Sequence, residues 1–107
     1  MESNAASRYA KSLLDLAEST QSAKSVYEDL FALKSVFKKN RELAAVLNSP
    51  VISGSKKGAI LDQLFKGRVH KLTASFFDLL NRKHRESQLA AIVDSFIELY
   101  NLRRGLS

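Results

Sequence analysis

The sequence predicts an all-α fold, a compact six-helix bundle formed as one domain over residues 1–107. Apolar residues recur three and four positions apart along almost the whole chain, which is the spacing of a buried helix face. No stretch shows the sustained apolar and polar alternation of a half-buried strand. The chain has only one proline and four glycines, so it has few residues that would interrupt a helix. A chain of this length buries about one hydrophobic core, so the helices are expected to share it.

Three helices are predicted in the amino-terminal half. The first covers about residues 5–18 and the second about residues 22–39. The second helix carries a clear apolar stripe, formed by Val26, Leu30, Leu33 and Phe37. A short third helix covers about residues 41–47, with Asn40 as its expected amino-terminal cap. Pro50 then ends it, because proline disfavours helical geometry in the residue before it.

Three more helices are predicted in the carboxy-terminal half. The fourth begins after Ser53, its expected cap, and stops at Gly67. The fifth covers about residues 69–84. Ser87 is expected to cap a sixth helix, which ends near Gly105. The residues that this sixth helix is expected to bury are Leu89, Ile92, Val93, Phe96, Ile97 and Tyr100.

The formal net charge of +6 raises the question of nucleic-acid binding, because clustered cations attract phosphates. Many of the basic residues lie near predicted helix ends, where a cation is stabilised by the negative end of the helix dipole. These residues are Lys38, Lys39, Lys66, Arg68, Lys71, Arg82, Lys83, Arg85, Arg103 and Arg104. We therefore expect no nucleic-acid partner, and a small basic nucleic-acid-binding domain is the alternative function.

The residues that carry catalysis are not found together. The chain has no cysteine, and its two histidines, His70 and His84, are fourteen positions apart, about 20 Å along a helix. Gly54 and Gly58 lack the spacing of a phosphate-binding loop. We expect no catalytic residue, metal or cofactor, and an enzyme fragment without its active site is a third interpretation. No run approaches the roughly 20 apolar residues of a membrane span, so no direct membrane insertion is expected.

Two helices carry more apolar surface than one core-facing stripe requires. The first helix has one stripe at Ala6, Ala10, Leu13 and Ala17 and a second at Ala5, Tyr9, Ser12 and Leu16. The fifth has one side at Thr73, Phe77 and Leu80 and another at Leu72, Phe76 and Leu79. Either both helices are covered from two sides, or the second stripes form an exposed groove for an amphipathic helix. Periodicity alone does not decide between these arrangements.

Several short motifs, in order and spread over nearly the whole chain, resemble the δ subunit of F-type ATP synthases, called the oligomycin sensitivity conferral protein in mitochondria. They are Arg8–Leu13, Leu47–Ile52 with Lys56 and Lys57, Phe76–Arg82 with Arg85, and Asn101–Leu106. The resemblance implies a six-helix amino-terminal domain at the top of the catalytic head, which binds the amino-terminal helix of an α subunit. As a stator component, it would hold the head against rotation during proton-driven ATP synthesis.

The resemblance also implies a groove between the first and fifth helices, with Tyr9, Ser12 and Leu79 in it. Ser12 departs from the small apolar residue that many members carry there. Together with the second stripes, and with Arg8 and Lys83 at the border, this predicts a partner-binding site. The candidate residues are Ala5, Arg8, Tyr9, Ser12, Leu16, Leu72, Phe76, Leu79 and Lys83.

Members of this family usually continue into a carboxy-terminal domain that joins the b-subunit stalk. This chain stops at Ser107, so we interpret it as an isolated, monomeric domain whose b-subunit contact belongs to the missing part. The resemblance further implies a peripheral membrane complex on the cytoplasmic face of the bacterial inner membrane.

Overall fold

The computed structural model describes residues 4–105, so the first three and last two residues of the predicted domain lie outside it. Its six α-helices confirm the all-α prediction, and the described residues contain no strand. The elements in chain order are α1 (Asn4–Ser19), α2 (Ala23–Lys39), α3 (Arg41–Asn48), α4 (Gly54–Phe65), α5 (Lys71–Arg82), a 3₁₀ turn (Glu86–Gln88) and α6 (Leu89–Arg103).

The last helix, α6, organises the bundle by packing along both α1 and α2, while α4 packs mainly on α5. Ala6, Ala10 and Ala17 are buried on α1, and these small side chains allow the backbones of α1 and α6 to approach closely. The side chains of Leu14, Leu30 and Phe96 are completely buried in the shared core. The predicted buried face of α6 is confirmed at all six positions.

The stops of α4 and α6 and the cap of α4 agree with the sequence analysis. The Ser53 hydroxyl accepts a hydrogen bond from the Lys56 amide at 3.1 Å, which caps α4 as predicted. Gly67 and Gly105 follow the ends of α4 and α6, each with a φ of +77°. That left-handed conformation carries no Cβ penalty in glycine, which explains why both helices stop there.

Two predicted caps differ from the structure: Asn40 is at the amino-terminal cap position of α3 but lacks the expected side-chain hydrogen bond, and Ser87 is not the cap of α6. The Asn40 side chain makes no capping hydrogen bond, and its backbone amide instead donates to the Val36 carbonyl at the end of α2. Ser87 lies inside the 3₁₀ turn, so α6 begins only at Leu89. Asn40 is the single residue between α2 and α3, with a φ of −137° and a ψ of 87°, whereas the turn that contains Ser87 runs directly into α6.

The fifth helix is shorter than predicted at both ends. At its start, the His70 imidazole Nδ1 accepts from the Leu72 amide at 3.0 Å, so the residue predicted inside the helix is its cap. At its end, the helix stops at Arg82 and His84 has a φ of +57°. A left-handed residue ends the helical path, which turns the chain toward the 3₁₀ turn.

Asp29 of α2 holds the start of α5 across a long sequence separation. Its Oδ2 accepts from the His70 amide at 2.8 Å and from the Thr73 hydroxyl at 2.7 Å. Thr73 is completely buried, so water cannot replace this bond. The carboxylate therefore satisfies both an unpaired helix-terminal amide and a buried hydroxyl.

Asp29→Ala is expected to lower the free energy of unfolding by about 1–3 kcal/mol, because it leaves the buried Thr73 hydroxyl without a partner. Urea denaturation followed by circular dichroism measures this loss. Glu28→Ala is the matched control, since Glu28 is the exposed acidic neighbour on the same helix. Equal stability of the two variants would contradict the proposed role of Asp29.

Exposed ion pairs join the helices around the core. Arg103 Nη1 on α6 lies 2.8 Å from Asp15 Oδ1 and 2.7 Å from Glu18 Oε1 on α1. Hydrogen bonds from Lys11 and then from Arg103 hold the pKa of Asp15 below its ordinary value. These groups are solvated, so they orient α1 against α6 rather than supply much of the stability.

Candidate partner-binding groove

Side chains that bind metals do not cluster in the described part of the chain. Between residues 4 and 105, no three histidine, aspartate or glutamate side chains gather as metal ligands would. His70 caps α5 and His84 occupies the turn after it, so the two histidines lie at opposite ends of that helix. In this same part of the chain, no helix is long and apolar enough to cross a bilayer.

A surface cavity of about 340 Å³ lies between α1 and α5. Its lining is almost entirely aliphatic and aromatic, apart from two serine hydroxyls. The residues that α1 contributes are Tyr9, Ser12, Leu13 and Leu16. Those that α5 contributes are Leu72, Ser75, Phe76 and Leu79. The second stripes of the two helices therefore face the same space.

The cavity has a buried floor and open walls. Phe76 is only 7% exposed, and the Tyr9 ring meets it edge-on with the centroids 6.3 Å apart. Leu16, by contrast, is 49% exposed, and Ser12 is exposed as well. Of the two arrangements left open by the sequence, the structure has the exposed groove, with Phe76 as a buried floor residue. A leucine left half in solvent beside other apolar side chains is a feature of docking surfaces.

A second depression of about 370 Å³ continues from the first and is more polar. It is lined by Ala5, Arg8, Tyr9, Ser12 and Arg85, so it shares Tyr9 and Ser12 with the apolar cavity. We use the name groove for the two depressions together. One end of the groove is apolar, and the other end presents two guanidinium groups.

All predicted site residues except Lys83 line this groove. Lys83 is the exposed residue just after α5 and lines neither depression, so its place at the border of the groove stays a prediction. Arg85 lines the polar depression, because the left-handed residue before it turns the chain and its amide donates to the Leu80 carbonyl at 2.8 Å. The sequence analysis predicted helix as far as His84, so it did not predict this turn.

The sequence analysis also missed Leu13 and Ser75. Leu13 lies on the core stripe of α1 and is 3% exposed, yet it reaches the floor of the apolar cavity. Ser75 is an exposed polar residue, and a search for apolar stripes passes over it. A window that included every position within one helical turn of Leu72 and Leu79 would have found it.

These features define an all-α bundle with an open apolar groove between its first and fifth helices. The chain belongs to the ATP synthase delta (OSCP) subunit family, whose model matches residues 5–107. This confirms the resemblance stated from the motifs.

Bacterial relatives agree with this assignment. An ATP synthase subunit delta from Cytophaga hutchinsonii is 42% identical over 105 residues, covering 98% of this chain and 58% of the relative. The protein of the same name from Amoebophilus asiaticus is 42% identical over 101 residues, covering 94% of this chain and 55% of the relative. One from Chlorobium phaeobacteroides is 41% identical over 95% of this chain and 57% of its own length. The chain thus spans somewhat more than half the length of these relatives.

Proposed function

We propose that this chain is a non-catalytic peripheral-stalk domain that binds the amino-terminal helix of an ATP synthase α subunit in the groove. The observation that carries the proposal is the apolar cavity between α1 and α5, with Leu16 half exposed at its wall. An amphipathic helix docks into such a cavity by placing side chains three and four positions apart in it. Tyr9 and Leu16 are seven positions apart, about 10 Å along α1, which matches two turns of a docked helix.

The family supplies the wider role. By holding an α subunit, the domain would fix the catalytic head against the torque of the rotor, so that proton flow drives ATP synthesis. A carboxy-terminal domain of the whole protein would join the b-subunit stalk, and the complex would lie on the cytoplasmic face of the bacterial inner membrane. The domain itself would act as a monomer, with the α helix rather than a second copy of the domain in its apolar groove.

The net charge of +6 favours a second candidate, binding to nucleic acid. Some of the cations already have acidic partners. Arg103 contacts Asp15 and Glu18, and Lys34 Nζ lies 3.2 Å from Asp94 Oδ1. The remaining attraction to phosphates is expected to be weak and to fall steeply with salt.

A titration with two kinds of ligand tests the proposal. The first is a synthetic peptide, here called the α peptide, with about the first 20 residues of the Cytophaga hutchinsonii α subunit, long enough for a 30 Å helix. The second is single-stranded and duplex DNA and RNA over a salt series. We expect saturable α-peptide binding by calorimetry with a negative heat-capacity change, and nucleic-acid binding that disappears at moderate salt. Absent peptide binding, or nucleic-acid binding that persists at high salt, would overturn the proposal.

A further inference from the structure

The groove has two chemically different ends. Leu16, Leu72 and Leu79 line the apolar end, whereas the other end is lined by Arg8 and Arg85. Arg8 projects from the first turns of α1, and Arg85 follows the left-handed turn after α5. Elements distant in sequence thus bring two cations to the edge of one depression.

Both arginine side chains are exposed. Within residues 4–105, neither Arg8 nor Arg85 has a carboxylate oxygen within 4.0 Å. Arg103 differs, because it already binds two carboxylates on α1. An arginine presents several donors in a planar fork that fits a carboxylate, so two unpaired arginines beside one depression form a receptor for an acidic side chain.

The spacing along α1 relates the two ends. Arg8 and Leu16 are eight positions apart, about 12 Å at 1.5 Å per residue. A docked helix that follows α1 covers this distance in slightly more than two turns. A side chain about seven or eight positions from an aliphatic anchor at Leu16 therefore reaches the arginine end on the same face.

We propose that the groove selects an amphipathic helix with a carboxylate about two turns from its aliphatic anchor, and that Arg8 and Arg85 bind this carboxylate. The inference rests on the proposed function and adds an electrostatic selectivity to it. The apolar end supplies contact area, and the arginine end sets which segment docks and in which register, because a misplaced helix leaves its carboxylate unpaired.

The test compares the Arg8→Gln/Arg85→Gln double variant with wild type for binding of the α peptide. Its matched control is Lys24→Gln/Arg41→Gln, which removes the same formal charge from two exposed residues that do not line the groove. At low salt we expect the arginine variant to bind about three- to tenfold more weakly than the control. Circular dichroism melting should show both variants folded, since all four side chains are exposed.

A second peptide, with every aspartate and glutamate of the α peptide changed to its amide, completes the cycle. Wild type should lose affinity for this peptide, and the arginine variant should bind both peptides equally. A double variant equal to its control, or a loss that persists with the amide peptide, would overturn the carboxylate site alone. If wild type fails to bind the α peptide at all, the proposed function fails and this inference fails with it.

Discussion

Phe77→Ala is expected to lower the free energy of unfolding by about 3–5 kcal/mol, the usual cost of truncating a buried phenylalanine. Phe77 is 5% exposed, and its ring packs edge-on against Phe65 of α4 with the centroids 5.6 Å apart. The variant leaves a cavity between α4 and α5, which the surrounding helices cannot fill without shifting. Because α4 packs mainly on α5, losing the Phe77 side chain should also destabilise α5, which forms one wall of the groove.

Urea denaturation followed by circular dichroism measures this change in the free energy of unfolding. The slope of that free energy against urea concentration checks that unfolding remains cooperative. Phe31→Ala is the matched control, because Phe31 is 50% exposed on α2 and its ring lies with its centroid 5.8 Å from that of the Tyr27 ring. Its loss should be about 1 kcal/mol or less. If the two variants lose equal stability, the assignment of the core-facing side of α5 is wrong.

Ser12→Asp is expected to weaken binding of the α peptide by about 30-fold or more, which corresponds to about 2 kcal/mol. Ser12 lies where the two depressions of the groove meet, so a docked helix would remove water from the new carboxylate. The new carboxylate, four positions after Arg8 on α1, would also compete with the docked helix for the arginine end of the groove. The free domain should keep its melting temperature, because Ser12 is exposed there.

Leu79→Asp provides a second variant of the same kind. It should also weaken binding, but Leu79 is only partly exposed and packs against the core, so some loss of stability will accompany it. Ser12→Asp separates binding from folding more cleanly.

Ser25→Asp is the control for Ser12→Asp, since Ser25 is an exposed serine on α2 that does not line the groove. Calorimetric titration gives the affinities, and thermal melting gives the stabilities. Full-strength binding by a folded Ser12→Asp protein would place the α-helix site elsewhere on the domain.

The helices and their core faces were largely predictable, because both depend on local periodicity. The stripe from Ala6 to Ala17 and the pair Phe77 and Leu80 are buried as the 3.6-residue repeat indicates. Gly67 could be recognised as a stop from its residue type, since glycine adopts positive φ without strain. Surplus apolar residues such as Leu16 and Leu72 also indicated which two helices carry more apolar surface than one core-facing stripe requires.

The ends of α5 show where local pattern fails. At the start of the helix, the His70 amide donates a hydrogen bond to Asp29, which lies 41 positions earlier in the chain. No short window of sequence contains both residues. At the other end, Asn81 donates to the Gly54 carbonyl at 2.8 Å and also to Glu86, so contacts with α4 and the 3₁₀ turn determine where the chain turns. The helix length is thus decided by tertiary partners rather than by propensity.

The sequence by itself determined six helices, their core-facing stripes, the family and the two helices that carry excess apolar surface. Only the tertiary structure decided that the excess is exposed at Leu16, that Phe76 forms a buried floor, and that Arg85 lines the polar end of the groove. The physical reason is that periodicity specifies a direction around one helix axis. Whether a neighbour covers that direction depends on how the other helices pack against it.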